Sequence, residues 1–178
     1  MTKRAYKKFE RNDRDFYATP PEATTPLLWH LNQKTVYIEP CCGEYDLILS
    51  LQDAGHICIS ATDIKKQPDK DATYFRYDVS KVDCFITNPP WGRKTLHAII
   101  ENLSNQAPTW LLFDADWMHT KQAAPFMPRL KKIVSVGRVS WFGDTVGFDN
   151  CAWYLFDKPS SGLPVFVGRT PFEPTIVS

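Results

Sequence analysis

A strand, a glycine turn and a helix follow one another early in the chain, and their order limits the folds available to it. Residues 35–38 form a short apolar run typical of a buried strand, and the apolar series Leu47, Ile48, Leu49 and Leu51 then indicates a helix. Gly43 lies in the turn between them, and Gly55 stands where a helix C-terminal cap is expected. This order opens a nucleotide-binding crossover, so the sequence predicts an α/β fold with a mostly parallel sheet.

Two acidic residues follow later segments of the chain. Residues 57–62 are the next apolar run, and Asp63 comes directly after them, about twenty residues beyond Gly43. That spacing is expected for a carboxylate that reaches a ribose diol from the second strand of the unit. Asp78 follows residues 73–77 in the same way. Each acid alone is more often an ordinary residue at the end of a strand, so the prediction depends on their order and spacing.

The segment Asn88-Pro89-Pro90-Trp91 directly follows a third apolar run at residues 82–87. Two consecutive prolines fix φ and remove two backbone donors, so the carbonyls of Asn88 and Pro89 can face a ligand. An amide oxygen and a free carbonyl can accept the protons of a planar amine, and Trp91 can stack on its ring. The segment therefore predicts a site for a planar group that carries NH2. The alternative is a proline turn that only ends a strand.

Together these segments resemble class I methyltransferases that use S-adenosylmethionine, in particular small phage-type DNA N6-adenine methyltransferases. The turn from Glu39 to Gly43 resembles the cofactor loop of that family, although Tyr45 replaces its usual second glycine. Residues 15–22 resemble the segment that covers the methionine end of the cofactor. The resemblance implies a Rossmann-like α/β fold with a mostly parallel seven-stranded sheet, helices on both faces and an antiparallel C-terminal hairpin.

The resemblance also implies S-adenosylmethionine as the cofactor and assigns roles to residues. Glu39 and the Gly43 turn would hold the methionine portion, Asp63 the ribose and Asp78 the adenine of the cofactor. The catalytic loop implied for the adenine amine is Asn88, Pro89, Pro90 and Trp91, with Trp91 stacked on the base. The implied cofactor-binding residues are Asp15, Phe16, Tyr17, Thr19, Glu39, Pro40, Cys41, Gly43, Asp63, Ile64, Asp78, Val79 and Asn88.

Later segments continue the alternation of helices and strands. Residues 96–103 predict a helix, 109–113 a buried strand, and 122–130 a helix interrupted by two prolines. Two strand-like runs at residues 133–142 and 151–156 then predict a long antiparallel hairpin.

We expect a catalytic domain at residues 15–158 between a basic arm at 1–14 and an irregular tail at 159–178. Near the start of this domain, Thr25 is expected to cap a short helix with Pro26 at its first position.

Composition favours one cytoplasmic domain, in a bacterial host if the chain is phage-encoded. The 178 residues are 43% hydrophobic, which is enough for one core. No apolar run has the length of a membrane span, so we expect no membrane partner. The five cysteines lack paired spacing and are expected as core residues of a reducing compartment. The four histidines are scattered, so no metal site is predicted.

Positive charge is concentrated at the start of the chain. Residues 1–14 carry six Lys or Arg and two acids, a net charge of +4, whereas the whole chain has a net charge of +1. This distribution predicts a local grip on a polyanion, here DNA. No segment is left for a separate target-recognition domain. We therefore expect a short or degenerate target, read by loops, by the arm or by a second subunit of a homodimer, with the base moved out of its stack.

The predicted function is methyl transfer to the N6 amine of adenine in DNA. Since the loop at residues 88–91 would bind any planar amine, guanine N2 in RNA and a glutamine amide in a protein remain alternatives. Tyr45 and the missing recognition domain also leave open a catalytically weak scaffold that binds nucleic acid.

Overall fold

A seven-stranded mixed sheet forms the centre of the protein. The computed structural model describes residues 18–141 and 150–169. The strands are β1 (Val36–Glu39), β2 (Ile57–Ala61), β3 (Cys84–Thr87), β4 (Thr109–Asp114), β5 (Leu130–Arg138), β6 (Asn150–Phe156) and β7 (Val165–Val167). Their order across the sheet is β2-β1-β3-β4-β6-β5-β7, and β6 alone runs antiparallel to both of its neighbours. The predicted sheet, mostly parallel with an antiparallel C-terminal hairpin, is confirmed.

Helices cover both faces of this sheet, as predicted. They are α1 (Pro21–Leu28), α2 (Asp46–Asp53), α3 (Arg93–Ser104) and the 3-10 helices Pro68–Lys70, Ala115–His119 and Lys121–Arg129. Side chains of β4 alternate between the faces, as a pleated strand requires. Trp110 and Leu112 pack in the apolar layer that contains α1 and α2, whereas Leu111 and Phe113 pack in the layer that contains α3.

The ends of the first two helices show how local sequence sets them. Gly55 ends α2 with a φ of +88°, a left-handed conformation that favours glycine, so the predicted cap is confirmed. The predicted start of α1 at Thr25 is wrong, because the helix begins one turn earlier at Pro21. Proline suits a first helical position, where the missing N–H would have no partner. Thr25 lies inside the helix, and its hydroxyl donates to the Pro21 carbonyl at 3.0 Å.

One predicted helix takes a different form. Residues 121–129 form a 3-10 helix instead of the predicted α-helix at 122–130. Pro125 and Pro128 cannot donate the backbone hydrogen bonds that an α-helix uses, which leaves the tighter and less regular form.

No strand forms directly before Asp78. The Asn102 side chain instead donates to the Phe75 carbonyl at 3.0 Å, and the Gln106 side chain accepts from the Tyr77 amide at 2.9 Å. Side-chain amides of α3 and of the residues after it thus occupy backbone groups that a neighbouring strand would pair.

The segment after residue 158 was predicted to be an irregular tail. It is not irregular throughout, because it contributes β7. This strand pairs in parallel with β5 at the edge of the sheet. The basic arm at residues 1–14, Asp15-Phe16-Tyr17, the hairpin connection at 142–149 and residues 170–178 lie outside the described residues. Within the described part of the chain, no helix has the length and apolarity that a membrane crossing requires.

Candidate functional site

A cleft lies where the carboxyl ends of β1, β2 and β3 meet, the edge at which parallel α/β sheets bind ligands. Glu39 ends β1, Asp63 follows β2, and Asn88 follows β3. The cleft has about 630 Å³ of empty volume, including space open to solvent. The predicted site residues that line it are Thr19, Glu39, Cys41, Gly43, Asp63, Ile64, Asn88 and Pro90.

Other predicted residues lie beside this cleft or away from it. Pro40, Pro89 and Trp91 are neighbours of lining residues but do not line it themselves, and neither do Asp78 and Val79. Other residues line the cleft but were not predicted from the sequence. Each of them either adjoins a predicted residue or lies at the start of α2, and this position in the chain could have identified them. These residues are Ala18, Cys42, Glu44, Asp46, Leu47 and Lys65.

Asp78 is exposed, and its carboxylate accepts from the Ser80 backbone amide at 3.0 Å. Hydrogen bonding to Ser80 lowers the pKa of this carboxyl. Because no strand aims Asp78 at the cleft, the carboxylate serves a local turn.

Glu39 is the more deeply buried of the two buried acids that line the cleft. Its residue is 1% exposed, and neither carboxylate oxygen has a hydrogen-bond partner among the described residues. Loss of hydration raises its pKa to about 8, and the nearby Thr87 hydroxyl and Cys41 backbone offset this rise only in part. A buried carboxyl without partners is costly, so a ligand that brings a cation or donors would complete this site.

Asp63 braces the glycine turn from the second strand. Its Oδ2 accepts from the Gly43 amide at 3.2 Å, and its Oδ1 accepts from the Lys65 amide at 2.8 Å. Each carboxylate oxygen has more than one acceptor position, so these bonds leave capacity for a ligand hydroxyl. Asp63 therefore has a structural role in addition to any role in binding.

Tyr45 occupies the position where a second glycine was expected, and it adopts the left-handed backbone that glycine favours. Its φ is +73°, and it directly precedes α2. The side chain does not line the cleft, because it turns outward beneath Lys66, whose Nζ lies 4.3 Å from the ring centroid. Lys66 also contacts Glu44 at 3.5 Å and donates to the Gly43 carbonyl. Tyr45 thus does not crowd the cleft, at the cost of backbone strain.

The Asn88 side chain is hydrogen-bonded at both ends of its amide. Its Oδ1 accepts from the indole nitrogen of Trp91 at 3.2 Å, and its Nδ2 lies 3.1 Å from the Thr19 hydroxyl. The same indole N–H points to the Leu112 carbonyl in β4, also at 3.2 Å. The Trp91 ring meets Trp141 edge-on, with centroids 5.6 Å apart. Stacking of Trp91 on a base stays a prediction.

Two cysteines in the turn are not nucleophiles near neutral pH. Burial raises the pKa of the Cys42 thiol to about 11 and also raises that of Cys41. Both thiols therefore remain protonated at neutrality, whereas cysteine nucleophiles require the thiolate. Among the described residues, no group of three or more His, Cys, Asp or Glu side chains could hold a metal ion.

Solved methyltransferase structures share this architecture. A modification subunit of a proposed type I restriction enzyme from Vibrio vulnificus matches 92% of this chain and 49% of its own, with a TM-score of 0.59 and 12% identity. A proposed RNA methyltransferase from Pyrococcus horikoshii matches 83% of this chain and 89% of its own, with a TM-score of 0.55 and 17% identity. The chain has a class I methyltransferase fold. No protein-family model and no curated protein sequence matches it.

This fold accounts for only part of some of its neighbours. A proposed class I S-adenosylmethionine-dependent methyltransferase from Listeria monocytogenes matches with a TM-score of 0.51 and 10% identity, over 84% of this chain and 65% of its own. The chain thus spans about two thirds of that protein and about half of the Vibrio subunit. At identities this low, the structural similarity establishes the fold alone. Evidence for the activity comes from the residues of the cleft.

Proposed function

We propose that this protein transfers a methyl group from S-adenosylmethionine to the N6 amine of adenine in DNA. One observation carries the proposal: the glycine turn and the acceptor loop open into a single cleft, lined by Glu39, Gly43, Asp63 and Asn88. A methyl donor bound by the turn and an amine held by the loop would therefore meet without any movement of the sheet.

The residues of the turn fit this cofactor. Glu39 offers a buried carboxyl group that has no hydrogen-bond partner among the described residues, and its ionised form can pair with the ammonium of a methionine moiety. Asp63 retains acceptor capacity for a ribose hydroxyl, and Gly43 brings backbone close to the cleft. When bound, the cofactor supplies an electrophilic methyl group on a positively charged sulfur. The Listeria monocytogenes neighbour is described as S-adenosylmethionine-dependent.

The acceptor loop contributes alignment. The lone pair of an exocyclic amine is delocalised into its ring, so the nitrogen is a weak nucleophile. Acceptors that bind its N–H protons favour a pyramidal nitrogen, in which the lone pair is no longer conjugated with the ring. Asn88 Oδ1 and the Pro89 carbonyl are the acceptors that we assign to this task. Holding the amine in line with the methyl group also lowers the entropic cost of bringing the two reactants together in the transition state.

Two features support DNA as the partner. The Vibrio vulnificus neighbour is a modification subunit, and the type IIG restriction endonuclease BpuSI matches 85% of this chain with a TM-score of 0.58 and 12% identity, over 27% of its own length. The net charge of +4 at residues 1–14 would add contacts to phosphates. RNA is the second candidate. Among the neighbours named above, the proposed RNA methyltransferase of Pyrococcus horikoshii is the one that this chain matches over the largest share of its length, 89%.

A labelled methyl transfer assay tests the proposal. The full chain is incubated with tritiated-methyl S-adenosylmethionine and with DNA, RNA or protein, and the DNA is digested to nucleosides for chromatography. We expect label in N6-methyldeoxyadenosine. Asn88→Ala should abolish most of it, and Asn32→Ala, which changes an exposed asparagine away from the cleft, should not. Label only in RNA or protein, or in no acceptor, would contradict the DNA assignment.

The role of the basic arm can be measured separately. Deleting residues 2–11 should weaken DNA binding for all sequences alike and reduce the dependence of affinity on salt by several units of slope, at about 0.9 counterion released per phosphate. Cofactor affinity should hardly change. Parallel salt slopes for the intact and shortened chains would show that the arm does not contact phosphates.

A further inference from the structure

We propose that Trp91 is a positioning residue whose indole N–H sets the orientation of the Asn88 side-chain amide. This inference rests on the proposed function, in which Asn88 Oδ1 receives a proton of the acceptor amine. It differs from the stacking role expected of Trp91, because a stacking ring needs only its face, whereas orientation of the amide needs the N–H group.

The chemistry of the two neighbours of Asn88 makes Trp91 decisive. The oxygen and nitrogen ends of an asparagine amide are nearly equal in shape, so packing alone does not distinguish its two orientations. The Thr19 hydroxyl can donate or accept, so it tolerates either end at its 3.1 Å separation. An indole nitrogen only donates, so Trp91 Nε1 at 3.2 Å requires the oxygen end. A flipped amide would place NH2 against N–H and lose this bond.

Trp91 itself is tied to the sheet. Its N–H also faces the carbonyl of Leu112, a fully buried residue of β4, at 3.2 Å. The ring packs against the apolar layers on both faces of the sheet and lies edge-on to Trp141. The direction of the N–H is therefore fixed by the core, and the orientation of the Asn88 amide is fixed through it.

The orientation matters for the acceptor. Asn88 Oδ1 has two lone pairs, and Trp91 uses one of them, which leaves the other for an amine proton. In the flipped orientation an NH2 group would face the incoming NH2 group, and the acceptor would lose a partner. Trp91 thus removes a non-productive state of the site before the acceptor binds.

Trp91→Phe separates the two roles, because phenylalanine keeps an aromatic ring and lacks the N–H. We expect kcat to fall about tenfold or more, with acceptor KM and cofactor affinity within about threefold of wild type. The matched control is Trp153→Phe, which removes an indole N–H that donates to the Ala23 carbonyl at 2.7 Å in the core. This control should lower the melting temperature and leave kcat within about twofold. Unchanged kcat in Trp91→Phe, or a rise in KM alone, would overturn the proposal.

A spectroscopic measurement tests the hydrogen bond without the reaction. In the full chain labelled with 15N at the tryptophan indoles, the Trp91 signal is assigned by its loss in Trp91→Phe, or by mutation of the other tryptophans if that variant does not fold. Asn88→Ala should shift the Trp91 indole signal and leave that of Trp153 in place. An unmoved Trp91 signal would overturn the proposal. If wild type methylates no acceptor while this shift is seen, the proposed function fails and the orientation of Asn88 stands.

Discussion

Glu39 and Asn88, in the two halves of the cleft, differ in how their polar groups are satisfied. In the cofactor half, both carboxylate oxygens of Glu39 lack a partner among the described residues. In the acceptor half, the amide of Asn88 has a protein partner at each end. A ligand therefore has to supply the partners of Glu39 in the cofactor half, whereas the protein itself already holds Asn88 in the acceptor half.

Backbone geometry follows the same division. The cofactor half places Tyr45 in a left-handed conformation that costs about 1 kcal/mol or more for a residue with a side chain. The acceptor half uses Pro89 and Pro90, whose φ is restricted before folding, so less entropy is lost when the loop forms. Binding should therefore change the stability of the turn more than that of the loop.

The acceptor half is broken most directly by Asn88→Ala. This change removes the oxygen that we propose accepts an amine proton, a contact that would strengthen as the nitrogen develops positive charge in the transition state. We expect turnover to fall by about 100-fold to 1000-fold. Cofactor affinity should stay within a few fold, as measured by calorimetry. Near-normal turnover in this variant would mean that the loop does not hold the acceptor.

The cofactor half is tested by Glu39→Gln. In the unfolded chain Glu39 titrates near its ordinary pKa of 4.5, and burial raises the pKa to about 8 in the folded protein. Between these values the folded state binds more protons, so the ligand-free protein loses stability as pH rises through this window. Glutamine cannot titrate, so the variant should lack this loss and gain on the order of 3 kcal/mol in the free energy of unfolding at pH 9.

Urea unfolding of the ligand-free protein at several pH values measures this effect. Glu22→Gln changes an exposed acid of α1 and is the matched control. The same Glu39→Gln variant should bind S-adenosylmethionine more weakly, because the ammonium loses its carboxylate partner. Equal pH slopes in wild type and variant would show that folding does not raise the pKa of Glu39.

Asp63 combines the two situations, because its carboxylate accepts protein hydrogen bonds and is also proposed to bind the cofactor. Its substitution can separate these two roles. Asp63→Ala should weaken cofactor binding by about 1.5 to 3 kcal/mol, the scale of a hydrogen bond to a charged group. It also removes the acceptor of the Gly43 and Lys65 amides, so the melting temperature should fall too. Asp63→Asn keeps one acceptor oxygen and should show smaller losses of both. Calorimetry and thermal unfolding separate the two effects, and an unchanged dissociation constant would leave Asp63 a purely structural role.

The smallest expected effect concerns Tyr45. Tyr45→Gly relieves the left-handed strain but loses the contact with Lys66 and makes the unfolded chain more flexible. We expect the free energy of unfolding to rise by about 0.5 kcal/mol. Tyr45→Ala loses the same contact and keeps the strain, so it should be less stable than wild type. If Tyr45→Gly were the less stable of the two, the strain would be smaller than the backbone indicates.

The sequence predicts the frame of the site well, because the carboxyl ends of parallel strands meet at one edge of a sheet. Glu39, Asp63 and Asn88 each follow or end an apolar run, so their meeting in one cleft follows from topology alone. Asp78 is also a predicted cofactor residue but serves a local turn, because the segment before it is bound by side chains after residue 100. That competition depends on tertiary contacts and has no local signal.

The hydrogen bonds within the site are also beyond the sequence pattern. The proline pair predicts a loop with free carbonyls, but the direction of the Trp91 indole depends on Leu112, which enters from another strand. Likewise, a glycine pattern indicates where the turn lies, but it does not show that Tyr45 can adopt the same backbone and turn its ring outward.

The place of β6 between β4 and β5 has a consequence for synthesis on the ribosome. The first four strands can pair once residue 114 has emerged, but one edge of β4 then stays open until residues 150–156 follow. That edge belongs to a buried apolar strand that includes Trp110, Leu112 and Phe113. An open apolar edge invites pairing with other chains. The nascent protein should therefore be most prone to aggregation while the segment between these strands is being translated.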